Sequence, residues 1–346
     1  MQNIKELTLE ELKEALKKWG EPQFHAKQIF SWVYKKGVLD FDQMSDLPLG
    51  LRECLKANFY LGGLKLVNTL KSRDGTEKFL FALRDKNIIE AVIIPTEKRI
   101  TGCVSTQAGC KFGCKFCASG LLGYKRNLSV GEILDEILYL KNNSKDKKLT
   151  HLVFMGIGEP LDNYDNVLKA IRIINSSYAL NIGARRITIS TCGLIPGIKR
   201  LSEENMQIEL SVSLHASDDK TRSKIMPINK IYPLSKLICA SREYIDKTGR
   251  QITFEYVLIK GINSELQNAK NLCKILKGLR LCKVNLIPAN VIRECNIEPP
   301  NKLEILLFRD CLLKQDIFVT LRRPRGEDIQ GACGQLRLRY EKVHSS

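Results

Sequence analysis

Three cysteines near the middle of the chain have the residue type and the spacing to bind an inorganic cluster. Cys110, Cys114 and Cys117 follow one another as C-x3-C-x2-C. Thiolates this close together can hold one face of an iron–sulfur cluster, which usually takes four Cys ligands. Because a fourth local cysteine is missing, one iron would be left for a small-molecule ligand. Gly109 and Gly113 suit a loop that bends its backbone around such a core.

A structural zinc site is the alternative for the same three cysteines. Zinc in structural sites usually has four protein ligands, often in closely spaced cysteine pairs. No His or Cys pair elsewhere in the sequence supplies a convincing second half. The spacing therefore favours the cluster.

Another cysteine, Cys333, lies in a segment of small residues close to the end of the chain, Gly331–Gly334. An open, flexible segment favours a reactive thiol, although an exposed bystander has the same pattern. Cys239, Cys273 and Cys311 instead fall in apolar helical patterns, where a buried thiol behaves as a small hydrophobic residue.

Glycines and polar side chains follow several predicted strands at the point where each strand ends. The Gly-Glu-Pro sequence after the second strand of the repeating region would place a carboxylate at the carboxyl end of that strand, although an ordinary turn has the same sequence. Hydroxyl and amide groups at the other ends suit hydrogen bonds to a ribose or a carboxylate, but Ser and Asn also cap helices. His215 could equally be a buried core histidine. The candidates are Gly158, Glu159, Ser190, Ser213, Leu214, His215 and Asn290.

Strand and helix patterns alternate from residue 99 onward. Strands are predicted over 100–105, 150–155, 186–191, 207–213, 251–258 and 283–287, and helices over about 129–142, 163–176, 197–204, 234–248 and 264–277. Such alternation predicts parallel strands joined by right-handed crossovers. Six repeats rather than eight predict an α/β fold with an incomplete (β/α)6 barrel. The cluster loop follows the first strand, at the carboxyl ends where such barrels place their chemistry.

Smaller units flank the predicted barrel. Thr8 and Glu11 form a capping box at the start of a helix, and Asp74–Gly75 predicts a hairpin turn. Strands are predicted at 65–70, 77–83, 88–94 and 318–321, and a late helix at 300–313. We predict a helical domain at 1–62, a short β linker at 63–98, the barrel at 99–290 and a C-terminal extension at 291–346.

Composition limits the choice of partners. The formal charge is +17, with 55 Lys and Arg against 38 Asp and Glu. This excess favours a polyanionic partner such as nucleic acid, although lysines on solvated faces explain it about equally well. No apolar run approaches the roughly 20 residues that span a bilayer, and Met1–Leu7 lacks a signal-peptide pattern. We therefore expect a cytoplasmic protein with no membrane partner.

The cysteine motif, with Phe116 before its last cysteine, is typical of the radical-SAM superfamily. Other motifs narrow the resemblance to the adenine-C2 RNA methyltransferases, the ribosomal-RNA and tRNA-modifying branch of that superfamily. The resemblance covers nearly the whole chain. Its motifs are FHAKQIFSWVY at 24–34, CVSTQ at 103–107, GEPL at 158–161, RGEDI at 325–329 and ACGQL at 332–336.

The resemblance implies a reaction that uses two molecules of S-adenosylmethionine (SAM) and a [4Fe–4S] cluster held by the three motif cysteines. One SAM would methylate Cys333, and cleavage of the second would give a deoxyadenosyl radical that removes a hydrogen from the methylated cysteine. The carbon radical would add to adenine C2. Cys103 would then resolve the covalent adduct and form a transient disulfide with Cys333.

The resemblance also implies roles for other residues and partners. Glu90 matches the position of a proton acceptor, although a lone carboxylate on an apolar strand can simply face solvent. The strand-end residues named above would bind SAM. The partners would be large-subunit ribosomal RNA and tRNA, held in part by the helical domain, and an external electron donor of the flavodoxin or ferredoxin type. The protein is expected to be a monomer.

Two alternatives stay open at this level. The antibiotic-resistance methyltransferases that act on adenine C8 share the cluster cysteines and both reactive cysteines, although the RGEDI segment favours the C2 enzymes. A non-catalytic RNA-binding protein with a structural cluster is the second alternative. A radical-SAM enzyme with another substrate would leave the ACGQL segment unexplained.

Overall fold

The fold is described by a computed structural model, which covers residues 1–144, 148–290, 297–322, 325–329, 336–337 and 340. The N-terminal part is mainly helical. Its elements are β1 (Gln2–Asn3), α1 (Leu9–Lys18), α2 (His25–Phe30), α3 (Leu49–Asn58) and β2 (Phe59–Tyr60). The two short strands pair in parallel.

The helix boundaries in this part have clear local causes. The Thr8 hydroxyl accepts a hydrogen bond from the Glu11 amide at 3.2 Å, and the Glu11 carboxylate accepts one from the Thr8 amide at 2.7 Å. This confirms the capping box, which satisfies amides that lack partners at the start of a helix. Helix α2 continues into a wider helical turn at Ser31–Lys36, and α3 begins directly after Pro48.

A single large sheet forms the centre of the molecule. Its strands are β3 (Lys65–Lys71), β4 (Glu77–Ala82), β5 (Ile88–Pro95), β6 (Ile100–Cys103), β9 (Leu149–Phe154), β10 (Ile187–Thr191), β11 (Glu209–Ser213), β12 (Ile252–Leu258), β13 (Cys282–Pro288) and β14 (Phe318–Leu321). The spatial order is β14-β13-β12-β11-β10-β9-β6-β5-β4-β3. All neighbours from β14 to β6 are parallel, whereas β6, β5, β4 and β3 pair antiparallel. The predicted barrel strands are therefore confirmed, and the three strands before them extend the same sheet.

Helices connect the parallel strands. They are α4 (Ala118–Leu121), α5 (Val130–Asn143), α6 (Tyr164–Asn175), α7 (Ile195–Glu203), α8 (Asp219–Ile225), α9 (Leu234–Thr248), α10 (Leu266–Leu276) and α11 (Lys302–Leu313). The predicted helices are all present, but α4 and α8 were not predicted because such short segments show little periodicity. In the part of the chain that the structure describes, no helix is both long and apolar enough to cross a membrane.

A small hairpin, also not predicted, closes the cysteine loop. Its strands are β7 (Gln107–Gly109) and β8 (Tyr124–Asn127), which pair antiparallel. Gly109 has a φ of +92°, and a Cβ atom built there would lie 1.8 Å from the Gly123 carbonyl oxygen. Only glycine fits this position, because a side chain would collide with backbone that cannot move away cheaply. The sequence prediction of a tightly bent loop is therefore confirmed at Gly109.

Candidate active site

The three motif cysteines lie in the loop that the β7–β8 hairpin closes, and each is half-buried. Burial is the main cause that raises the pKa of Cys110 to about 12, and the sulfur of Cys117 contributes further. The pKa of Cys114 is also raised, first by burial and then by Cys117 and Cys110. The three sulfurs influence one another's pKa values, so they lie close together in the loop.

The surroundings of this space are apolar. Phe112, Cys114 and Phe116 pack against a buried group made of Cys192, Ala216, Ile225, Met226 and Ile228. Among the described residues, no three His, Cys, Asp or Glu side chains are arranged to hold a single metal ion. The ligands of a tetrahedral zinc converge on one atom, whereas the thiolates of a [4Fe–4S] cluster bind different irons. Three thiols and an apolar wall are a donor set and a setting that suit a [4Fe–4S] cluster.

A buried carboxylate lies near the cysteine loop. Glu159, which follows β9, is 3% exposed and contributes to the raised pKa of Cys110. It accepts hydrogen bonds from the backbone amides of Cys192 at 2.7 Å and Leu161 at 3.1 Å. Burial raises the pKa of Glu159, while these hydrogen bonds oppose the rise. The largest influences on this pKa are burial and hydrogen bonds from neutral groups, so a buried carboxylate beside the cysteine loop suits the ammonium group of a ligand.

Gly158 allows this strand end to pass close to β7. Its φ is +108°, and a Cβ atom there would lie 2.6 Å from the Gln107 Cβ. The Gln107 side chain in turn accepts a hydrogen bond from the Glu159 amide at 2.9 Å. The Gly-Glu pair is thus held by the hairpin that closes the cysteine loop.

A buried arginine, which the sequence analysis did not identify, holds the end of β11. Arg222 of α8 is 0% exposed. Its guanidinium donates hydrogen bonds to the carbonyl oxygens of Leu214 at 3.0 Å, Ser213 at 3.0 Å and Cys192 at 2.8 Å. Arg222 therefore fixes two predicted ligand-binding residues beside a partner of Glu159. In the sequence it is one of many basic residues, and only the tertiary structure distinguishes it.

His215 is buried and uncharged at neutral pH. Burial, and then the charge of Arg222, lower its pKa to about 3. Its Nδ1 accepts a hydrogen bond from the Val257 amide at 3.0 Å, which leaves the proton on Nε2. The Phe116 ring packs edge-on against the imidazole at a centroid distance of 4.6 Å. With a φ of +56°, an uncommon value for a residue other than glycine, His215 directs its polar ring beside the cysteine loop.

A cavity of about 180 Å³ lies at the carboxyl ends of β6, β9 and β13. Three predicted site residues line it, Glu90, Cys103 and Asn290, together with Arg322 and Arg325. Burial raises the pKa of Cys103 to about 11, and the charge of Arg322 opposes this rise. The Cys103 thiol is therefore protonated at neutral pH.

Glu90 forms an ion pair that the apolar sequence of its strand did not predict. Its carboxylate pairs with the Lys78 ammonium at 3.1 Å, and both side chains are almost fully buried. It also accepts a hydrogen bond from the Arg337 amide at 2.5 Å. The Ser105 hydroxyl donates to the Glu90 carbonyl oxygen at 2.7 Å, so strand β5 is fixed to the residues after β6. Glu90 thus faces the cavity rather than solvent.

The predicted residues fall into two groups. The first contains the cysteine loop with Glu159 and the Ser213–His215 turn, and the second is the cavity with Glu90, Cys103 and Asn290. Ser190 is half-buried on β10, next to the Thr191 hydroxyl that accepts a hydrogen bond from the Leu194 amide at 3.2 Å. Cys333 lies outside the described residues, so its role stays a prediction.

Known proteins resemble this chain over nearly its full length. One family model, described as the radical SAM superfamily, matches residues 104–273, and another, described as the ribosomal RNA large subunit methyltransferase N-terminal domain, matches residues 2–61. A probable dual-specificity RNA methyltransferase RlmN from Clostridium novyi is 49% identical over 98% of this chain and 99% of its own. A protein of the same name from Carboxydothermus hydrogenoformans is 47% identical over 99% of this chain and 100% of its own.

A solved structure agrees with these relatives. The crystal structure of a radical SAM methyltransferase from Sphaerobacter thermophilus has a TM-score of 0.93 and 43% identity, and the match covers 97% of this chain and 99% of that one. The predicted fold class is confirmed. The superfamily uses a [4Fe–4S] cluster and SAM, which confirms both predicted cofactors. The chain belongs to the RlmN family of radical SAM RNA methyltransferases.

Proposed function

We propose that this enzyme methylates C2 of a specific adenine in 23S ribosomal RNA and of the adenine 3′ to the anticodon in tRNA. The observation that supports the proposal most directly is the shared cavity of Glu90, Cys103 and Asn290. The relatives are named dual-specificity RNA methyltransferases, which supports more than one kind of RNA substrate, and the name of the matched N-terminal domain supports ribosomal RNA as one of them.

The residues around the cysteine loop bind and orient the cofactors. Cys110, Cys114 and Cys117 would hold the cluster, which would supply the electron for the cleavage of SAM. Glu159 receives the ammonium group of SAM, because it is a buried carboxylate beside the cysteine loop, held in place by the backbone amides of Cys192 and Leu161. Ser213, Leu214 and His215 with Ser190 and Asn290 complete the SAM site, and the apolar wall of Phe112 and Phe116 excludes water from it.

The residues of the cavity act on the methyl group and on the RNA. Cys333 carries the methyl group to adenine C2. Glu90 accepts the proton that leaves C2, and the buried ammonium of Lys78 stabilises the Glu90 carboxylate before the transfer.

The Cys103 sulfur then attacks the sulfur of Cys333, which forms the disulfide and breaks the bond between that sulfur and the methylene carbon. The methylene carbon keeps the bonding electron pair and takes up a proton, so the RNA leaves with a methyl group. The single electron left over from the radical addition would return to the redox partner that supplied it. Because burial keeps Cys103 protonated, its thiol must lose a proton at this step.

The proposed partners follow from charge and chemistry. The excess of 55 basic over 38 acidic residues suits contacts with RNA phosphates, and the target adenine must leave its stack to reach the cavity. An external electron donor of the flavodoxin or ferredoxin type would supply the electron that the reaction needs. We propose a monomer that works in the cytoplasm, where both RNA substrates are found.

The test is product mapping with anaerobically reconstituted enzyme. Iron and sulfide are counted first, and deoxyadenosine release is assayed with SAM alone and with RNA. Mass spectrometry of digested ribosomal RNA and tRNA then locates the methyl group. The proposal requires methyl at C2 of one adenine in each RNA. Methyl at C8 would assign the enzyme to the antibiotic-resistance reaction, and absence of any methylated RNA would contradict the proposed activity.

A further inference from the structure

The RGEDI segment near the end of the chain has no part in the proposed chemistry, yet it makes specific contacts. Asp328 lies against the turn between β3 and β4. Its carboxylate accepts hydrogen bonds from the Ser72 hydroxyl at 2.6 Å and from the Arg73 amide at 3.0 Å. These contacts join residues about 250 positions apart in the chain, with separations of 256 and 255. The tertiary fold, rather than proximity in the sequence, therefore brings the RGEDI segment and the turn together.

The turn contributes a carboxylate in return. One oxygen of Asp74 accepts a hydrogen bond from the Gly326 amide at 3.1 Å and lies 3.8 Å from the Arg325 guanidinium. Its other oxygen accepts from the Thr76 amide at 2.9 Å, which fixes the turn itself. Gly326 has a φ of +63°, a conformation that glycine adopts without strain. Each partner thus presents one aspartate to the backbone of the other.

The same extension is anchored again farther along. Leu336 is buried with Leu80 and Ile88 of β4 and β5. The next amide, that of Arg337, donates to the Glu90 carboxylate at 2.5 Å. The second anchor therefore touches the cavity directly, and Thr76 and Arg325 of the first also line that cavity.

We propose that the β3–β4 turn is a docking site for the C-terminal extension, with Ser72, Asp74 and Asp328 as positioning residues that keep Cys333 within reach of the cavity. The role of Cys333 rests on the proposed function. The docking follows from the contacts of the described residues alone. Asp328 and Leu336 are the anchors on either side of Cys333 in the sequence, and extended backbone covers at most about 3.6 Å per residue. Holding both anchors therefore limits the distance between Cys333 and the cavity.

The hydrogen bonds of the docking site can position the extension while contributing little to the stability of the fold. Ser72 is half-buried, and both aspartates are exposed, so a substitution here loses one hydrogen bond but leaves no buried polar group without a partner. The core of the sheet does not depend on them. Loss of a docking contact should therefore change the position of the extension without unfolding the protein.

The test uses full-length, cluster-loaded enzyme and three substitutions in the docking site. Ser72→Ala removes the hydroxyl donor, Ser72→Thr keeps it, and Asp328→Asn removes the charge while keeping the shape. Asp85→Asn is the matched control, because Asp85 lies in the neighbouring β4–β5 turn and pairs with Arg126 and Asn87 instead. Hydrogen exchange of the 325–337 peptides is followed by mass spectrometry, together with kcat and KM for RNA methylation.

Ser72→Ala and Asp328→Asn are expected to speed exchange of these peptides about fivefold, the effect of one lost hydrogen bond. They should lower kcat by a similar factor with KM for RNA unchanged, while Ser72→Thr and Asp85→Asn behave as wild type. Unchanged exchange in both docking variants would overturn the docking site. Faster exchange with an unchanged kcat would overturn the positioning role.

The two proposals fail in different ways. If wild-type enzyme makes no methylated RNA, the proposed function fails, and hydrogen exchange still decides the docking site. If wild-type enzyme methylates RNA and the exchange rates do not change in the variants, the docking proposal alone fails.

Discussion

The cysteine loop and the Glu90 cavity are constructed in opposite ways. The loop is local, because its three cysteines lie within eight consecutive positions, 110–117, and one hairpin closes it. The cavity is assembled from strands β5, β6, β9 and β13 and from Arg322 and Arg325 beyond β14. A local site can be identified from residue spacing, whereas a site assembled from distant segments depends on the whole sheet. The loop should therefore determine whether cofactor binds, and the cavity should determine what happens after it binds.

The largest expected effect separates these two roles. Cys114→Ser removes one of three cluster ligands, so we expect little bound iron and no methylation. Cys103→Ala removes only the resolving thiol, so we expect full iron content, no turnover and a covalent RNA–protein adduct. Iron analysis and denaturing gels with labelled RNA measure both outcomes. Wild-type turnover by Cys103→Ala, with no adduct, would contradict the division of roles.

The next-largest expected effect is a fall in kcat that tests the cavity alone. Glu90→Gln keeps the size of the side chain but removes the proton acceptor, so kcat should fall about a hundredfold while iron content stays at the wild-type level. Stopped reactions analysed for methylated RNA give the rate. If the variant retains the wild-type kcat, Glu90 is not the proton acceptor.

Lys78 provides the control for this variant. Lys78→Met leaves the Glu90 carboxylate without its buried cation and should destabilise the protein by about 3 kcal/mol. The double variant with Glu90→Gln should recover part of that loss, because neither charge is then buried alone. Denaturant unfolding measures the stability of each variant. If the single and double variants are equally destabilised, the two charges do not stabilise each other.

The same contrast explains what the sequence could and could not predict. Strands β9 to β14 and the capping box at Thr8 follow from hydrophobic periodicity and local hydrogen bonding, and the structure confirms them. The β7–β8 hairpin is too short to produce a periodic signal. The sequence does not distinguish Arg222 and Lys78, because a buried cation has no pattern of its own in a chain with 55 basic residues. Their importance lies in tertiary contacts, which single-sequence patterns do not contain.

A pair of glycines tests the local character of the cysteine loop. Gly109→Ala places a methyl group 1.8 Å from the Gly123 carbonyl oxygen, whereas a Cβ at Gly113 meets nothing within 4 Å. Both positions have positive φ, so both variants carry about 1 kcal/mol of backbone strain, but only the first also carries a collision. We expect about tenfold weaker cluster retention in Gly109→Ala and near-normal retention in Gly113→Ala, measured as iron lost to a chelator over time. Equal retention in the two variants would show that the hairpin does not determine the shape of the loop.

The smallest expected effect concerns the electrostatics of the cavity. Burial raises the pKa of Cys103 to about 11, and the positive charge of Arg322 opposes that rise. Only the thiolate reacts with iodoacetamide, so Arg322→Gln should raise the pKa further and slow alkylation of Cys103 at pH 8. Because Arg322 is exposed, solvent screens its charge, and we expect only about a twofold change at low salt that disappears near 1 M salt. Peptide mass spectrometry can follow Cys103 separately from the loop cysteines. A salt-independent change of the same size would mean that Arg322 acts on Cys103 through packing rather than through charge.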